Sequence, residues 1–255
     1  MTYCVGILVR EGLVMIADTR TNAGLDNIAT YRKLHVFEKP GKAAMGITTA
    51  GNLAVTQSAL TMVTEGMKNP ETSALETLTD MPSMFAAAKF VGRAVREARD
   101  DIGETVEQED TSAFHVSLLL GGQVAGGRLR LFMIYAAGNF IEATADTPYL
   151  QIGEHKYGKP ILDRSVTEMT TLDEALKIGL ISMDSTIRSN LSVGLPIDLL
   201  TIRRNTARIE LNYRIEAAEP YFHDLRERWS AALRAAHKAI PSPPYKSVSS
   251  AEIPT

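Results

Sequence analysis

One cysteine, Cys4, stands in 255 residues, so the chain cannot form an internal disulfide. Its place in an apolar run marks a buried thiol of a reducing compartment. A lone cysteine also excludes thiolate metal clusters. The five histidines, His35, His115, His155, His223 and His237, show no His-Glu-x-x-His spacing. A catalytic metal therefore has no signature, and no cofactor is expected. The Gly-x-Ser-x-Gly elbow of serine hydrolases is missing. The glycine-rich stretch Gly121–Gly127 lacks the Gly-Lys-Ser/Thr ending of a phosphate-cradling loop and reads as a turn. Basic clusters are lacking too: 27 Lys and Arg are dispersed among 30 Asp and Glu, for a formal charge of -3. That distribution leaves no footprint for nucleic acid or an anionic membrane. No segment approaches about 18 uninterrupted apolar residues, and no charged start precedes an apolar stretch, so a cytoplasmic location is expected.

What is present is a large apolar fraction, 45%, enough for one core. A single domain over residues 1–240 is expected, followed by a Pro- and Ser-rich tail, 241–255, extended or mobile. Strand-like runs at 2–9, 13–18, 34–38 and 43–50 read as antiparallel hairpins. Two helices follow, one marked by Leu53, Gln57, Leu60, Thr64 and Met67, the other by Phe85, Ala88, Val91, Val95, Ala98 and Ile102. Strands resume at about 113–121, 129–136, 139–144 and 148–152. A capping box, Thr171 with Glu174, opens a helix through Leu191. Strands at 198–204 and 207–215 and a helix after Pro220 complete the chain. Many strand runs are apolar on successive residues, as in sheets covered on both faces. The order fits two sheets between two helical layers.

The chemistry starts at Thr2. Removal of Met1 would place a hydroxyl beside a free α-amine, whose ordinary pKa of about 8 suits a general base. Asp18 ends one strand run and Lys33 precedes another, so both can converge on the first residue of the first strand. An ammonium there would lower the pKa of the threonine hydroxyl, and a carboxylate would hold that ammonium in place.

Thr2, Gly6, the segment Gly12–Thr21, Lys33 and Thr48-Thr49-Ala50-Gly51 together resemble the N-terminal half of proteasome-type β-subunits, the threonine branch of the N-terminal-nucleophile hydrolases. The segments Met1-Thr-Tyr-Cys-Val-Gly, Thr21-Asn-Ala-Gly and Gln151–Pro160 resemble more closely the bacterial proteasome-like family called Anbu. The resemblance implies an α+β fold, the four-layer αββα sandwich. It implies Thr2 as nucleophile, Asp18 as orienting carboxylate, Lys33 as the cation, Gly51 as oxyanion donor and Ser192 as partner of the amine region. It implies an extended peptide or protein substrate held by Thr21, Asn22 and Gly51, with a side-chain pocket near Thr21 and Met45. It also implies a homo-oligomer, either a closed ring or an open helix. Two positions depart from the common proteasome pattern: Ser189 stands where an aspartate is usual, and Glu154 where a serine is usual. Glu154 near the amine would favour its protonated form and slow the enzyme. His155 and Lys156 are neighbours that could line the site.

Overall fold

The computed structural model describes residues 2–22, 28–105 and 115–245. The chain runs β1 (Tyr3–Leu8), β2 (Gly12–Asp18), β3 (Arg20–Asn22), β4 (Ile28–Thr30), β5 (Leu34–Lys39) and β6 (Ala43–Gly51), then α1 (Leu53–Glu65). Two short strands, β7 (Met67–Lys68) and β8 (Leu75–Glu76), precede α2 (Met84–Thr105). Next come β9 (Val116–Val124), β10 (Arg130–Tyr135), β11 (Phe140–Glu142), β12 (Tyr149–Gly153), α3 (Lys159–Ser165) and α4 (Leu172–Ser189). The chain closes with β13 (Ile197–Arg203), β14 (Ile209–Ile215) and α5 (Pro220–Ala239). It divides into two compact units, Met1–Glu219 and Pro220–Thr255, the second holding α5.

The first unit is built on two five-stranded sheets, β12-β1-β2-β13-β14 and β11-β10-β9-β6-β5, antiparallel throughout. Alternation along each strand explains the layering. On β2, Leu13, Met15 and Ala17 enter the core between the sheets, where they meet Leu119, Leu131 and Leu200. Ile16, on the opposite face, reaches α4, where a Cβ on Gly179 would meet its Cδ1 at 2.6 Å. On β6 and β9, Met45, Ile47, Leu118 and Leu120 face a second core completed by Val55, Ala59, Ala88, Val91 and Val95 of α1 and α2. Every residue of β2 is therefore buried, as a strand covered on both faces requires. The result is the α+β, four-layer αββα arrangement.

Four expectations need correction. The stretch Gly121–Gly127 is not a turn throughout, because β9 continues through Gly121, Gly122, Gln123 and Val124. Gly121 is glycine because the sheets approach closely there: a Cβ would lie 2.6 Å from Leu13 Cδ2. The turn is confined to the residues after Val124, and Gln123 braces it by donating to the Gly127 carbonyl at 2.7 Å. Met67 does not close the α1 stripe but lies in β7, since α1 ends at Glu65 with Gly66 at φ +95. The helix opened at Thr171 ends at Ser189, short of Leu191, and the capping box at its start is present. The strand set at 113–121 begins at Val116; its first two residues, 113 and 114, lie outside the described residues, as does the tail beyond 245.

Candidate active site

Thr2 sits half-buried at the head of β1, where two neighbouring strands end. On one side, β12 delivers Glu154, whose N–H donates to the Thr2 carbonyl at 2.6 Å. That approach needs Gly153, at φ +82, because a Cβ there would lie 2.0 Å from the Thr2 oxygen. On the other side, β2 delivers Asp18, which accepts from the Tyr3 N–H at 3.0 Å. The backbone around Thr2 is thus tied on both flanks. Tyr3 adds a third anchor. Its fully buried phenol oxygen lies 2.6 Å from Ser182 Oγ and accepts from Gln151 Nε2 at 2.6 Å, and Ser182 donates to the Gly158 carbonyl at 2.9 Å.

Asp18 has no exposed surface and Lys33 is 5% exposed. Lys33 Nζ donates to Asp18 Oδ1 at 2.7 Å and to the Arg20 carbonyl at 2.6 Å. The second carboxylate oxygen accepts from Gly194 N–H at 3.4 Å. Burial pushes the Asp18 carboxyl above its ordinary range, while the Lys33 charge and these hydrogen bonds pull it back. A buried carboxylate with three donors and a buried ammonium with two acceptors form a set of mutually satisfied charges.

Thr2 and Lys33 both line a cleft of about 410 Å³, together with Thr21, Tyr31, Arg32, Thr49, Gly51 and His115. Gly51 ends β6 at φ +106, and a Cβ there would sit 2.2 Å from the His115 carbonyl. The next residue, Asn52, caps α1 by accepting from Val55 N–H at 3.1 Å, so the positive end of the α1 macrodipole lies beside the cleft.

The structure brings Thr2, Asp18, Lys33, Gly51 and Thr21 together, and β3 carries the Asn22 backbone alongside, paired with Ile28. Met45 is a correction. It is fully buried beneath α1 and α2, and the cleft is lined instead by Thr49, four residues further along β6, where the helical cover gives way. Ser189 is a second correction, being exposed on the last turn of α4. The following residue, Asn190, leaves the helix and donates from Nδ2 to Glu154 Oε2 at 3.2 Å. Ser192 lies in the turn after Asn190 and donates its N–H to Asn190 Oδ1 at 3.0 Å; its hydroxyl has no bond to Thr2 among the described residues. Glu154 is buried, and its carboxylate is occupied by Asn190 and by Lys156 N–H at 3.0 Å. His155 and Lys156 are exposed and outside the cleft wall.

Sequence reasoning missed Asn190, Gly153 and Gly194, which act through backbone position or a cap. The one available signal was the Asn-x-Ser-x-Gly spacing after α4. Cys4 is buried beside this region and donates weakly to the Thr49 carbonyl at 3.7 Å; burial pushes its thiol up. Among the described residues no grouping of three His, Cys, Asp or Glu could hold a metal, and no helix is long and apolar enough to cross a membrane.

The model of the proteasome subunit family matches residues 2–202. The Anbu structure from Yersinia bercovieri, described as an ancestral β-subunit, is 45% identical with a TM-score of 0.87, covering 95% of this chain and 100% of that one. Anbu from Hyphomicrobium sp. strain MC1 is 48% identical with a TM-score of 0.85, covering 94% and 98%. The helical assembly of the Anbu complex from Pseudomonas aeruginosa is 45% identical with a TM-score of 0.85, covering 95% and 98%. The chain belongs to the proteasome subunit family, as a proteasome-type β-subunit of the Anbu kind.

Proposed function

We propose that the chain is an N-terminal-threonine hydrolase that cleaves peptide or amide bonds through an acyl-ester intermediate. The observation that carries this reading is the buried Lys33–Asp18 pair at 2.7 Å, whose lysine stands in the wall of the cleft that Thr2 also lines. An ammonium has three N–H donors, and two of Lys33's are taken by Asp18 and Arg20, which leaves one for the threonine side. Loss of Met1 exposes the Thr2 amine. Thr2 Oγ1 then attacks the substrate carbonyl while the amine takes its proton. The oxyanion is stabilised by the Gly51 N–H, and the amine passes the proton to the leaving nitrogen as the C–N bond breaks. Water, deprotonated by the same amine, hydrolyses the threonyl ester and frees the acid. Asp18 acts by holding Lys33, and Glu154 with Asn190 steadies the segment on which Thr2 rests.

Assembly enters on likeness to the Pseudomonas aeruginosa protein, so a homo-oligomer, helical in preference to a closed ring, is part of the proposal. Electron microscopy of the purified chain tests it. The catalytic reading is tested by intact mass spectrometry before and after incubation with a peptide epoxyketone. A mass lacking Met1 and one adduct on Thr2, absent in Lys33→Ala, is the expected outcome. Retained Met1, or a free Thr2 that takes no adduct, overturns it in favour of a non-catalytic subunit.

A further inference from the structure

The cleft beside Thr2 is lopsided in charge. Arg32, Lys33 and His115 line it, and among the described residues no aspartate or glutamate does. Lys33 is neutralised by Asp18, whose carboxylate is wholly buried behind it. Arg32 is different: it is exposed, and its guanidinium makes no ion pair or side-chain hydrogen bond among the described residues. The remaining polar wall includes the hydroxyls of Thr21, Thr49 and Ser117, which can donate, whereas the Thr56 hydroxyl already donates to the Leu53 carbonyl at 3.0 Å. An unpaired guanidinium lining the same cleft as hydroxyl donors, with no carboxylate among the described lining residues, is matched by an acceptor-only, planar anion.

We propose that this cleft selects acyl groups that carry a carboxylate, with an acidic residue contributing the carbonyl that Thr2 attacks and Arg32 as its counter-ion. The inference rests on Thr2 being the nucleophile of the cleft. A basic side chain in the same position meets like charge from Arg32 and is rejected. A neutral amide of the same shape keeps the contact area and loses the ion pair. The discrimination between glutamate and glutamine is modest, because Arg32 is open to water, and it is weakened by salt.

The test separates binding from turnover. Full-length Thr2→Ala and Thr2→Ala/Arg32→Gln proteins are titrated with fluorescent peptide amides that differ only in Glu, Gln or Lys at the attacked residue. The native chain is assayed for hydrolysis of the same three. The expected result is about two- to fivefold tighter binding of the Glu peptide than the Gln peptide at low salt, a difference lost in the Arg32→Gln protein. Equal binding of Glu and Gln peptides, a preference that survives Arg32→Gln, or no binding of any peptide overturns the proposal. An Arg32-dependent Glu preference without hydrolysis by the native chain supports the anion pocket and sinks the nucleophile reading. Hydrolysis that ignores the side-chain charge does the reverse.

Discussion

Replacing Lys33 by methionine keeps an unbranched side chain of similar length and removes an ammonium from a carboxylate with no exposed surface. Asp18 then loses the 2.7 Å bond from Nζ and keeps only the backbone donors of Tyr3 and Gly194, the latter at 3.4 Å. Breaking a buried pair from one side costs about 3–5 kcal/mol, because the surviving charge is left uncompensated. Typical total stability is about 5–15 kcal/mol, so the variant folds with a reduced margin. The pH dependence follows from the carboxyl. Burial already raises Asp18, and without the ammonium it rises further. A carboxyl whose folded value lies above its unfolded value of about 3.9 is held protonated by folding. That contribution is full below the unfolded value and is lost as pH climbs through the folded one. The penalty of Lys33→Met is therefore small near pH 4 and full near pH 7. Urea unfolding at both pH values, at one protein concentration, reads it directly. The double variant Asp18→Asn/Lys33→Met, with neither charge, should regain most of the loss. A penalty under about 1 kcal/mol at pH 7, or one that is the same at pH 4, refutes the reasoning.

Three further changes have defined outcomes. Gly51→Ala drives a Cβ to 2.2 Å from the His115 carbonyl at a φ of +106, so both strain and clash apply. It should cost about 1–3 kcal/mol in thermal or urea melts and abolish Thr2 labelling even under conditions where the chain is folded. Tyr3→Phe leaves Ser182 bonded to Gly158 but strips Gln151 Nε2 of its acceptor, for a loss of about 1–3 kcal/mol. Adding Gln151→Leu to that variant should recover part of the loss, and no recovery counts against the unsatisfied-donor explanation. Glu154→Gln removes a negative charge from the residue whose N–H touches the Thr2 carbonyl. The rise of hydrolysis rate with pH should move to lower pH, because the free amine loses a group that favours its protonated form; an unmoved profile takes Glu154 out of the amine's environment.

The elements that sequence reasoning located well share one physical property: their pattern is local. Strands β1, β2, β5 and β6 announce themselves by apolar runs between turn residues, and α4 by its capping box and stripe. The grouping of Asp18 with Lys33 was legible for a related reason. Asp18 ends β2 of one sheet and Lys33 immediately precedes β5 of the other, and the course of both strands is set by burial of their neighbours, so the packed sheets bring the charges together. What escaped depends on where one layer stops covering another. Met45, Ile47 and Thr49 share a face of β6 by the period of two, and nothing within the strand says that the helical cover ends between Ile47 and Thr49. Likewise, Gly121 and Gly122 read as turn residues until the neighbouring sheet is seen pressing on them.

The altered amine-side residues carry the same lesson into chemistry. Ser189 and Asn190 are adjacent, yet the first ends α4 facing solvent and the second leaves the helical path and turns its amide to Glu154. Glu154 and Asn190 therefore act as a linked pair: one connects the end of β12 to the Thr2 backbone, the other connects that strand end to the turn bearing Ser192. Two residues after Ser192, Gly194 donates to Asp18. A continuous set of contacts thus runs from Thr2 through Glu154, Asn190 and the Ser192–Gly194 turn to Asp18 and Lys33. Changing Glu154 should consequently alter the setting of the Lys33 pair as well as the charge beside the amine. Asn190→Ala tests that coupling without changing any charge: a shift of the hydrolysis pH profile comparable to that of Glu154→Gln assigns the effect to position, and an unmoved profile assigns it to charge.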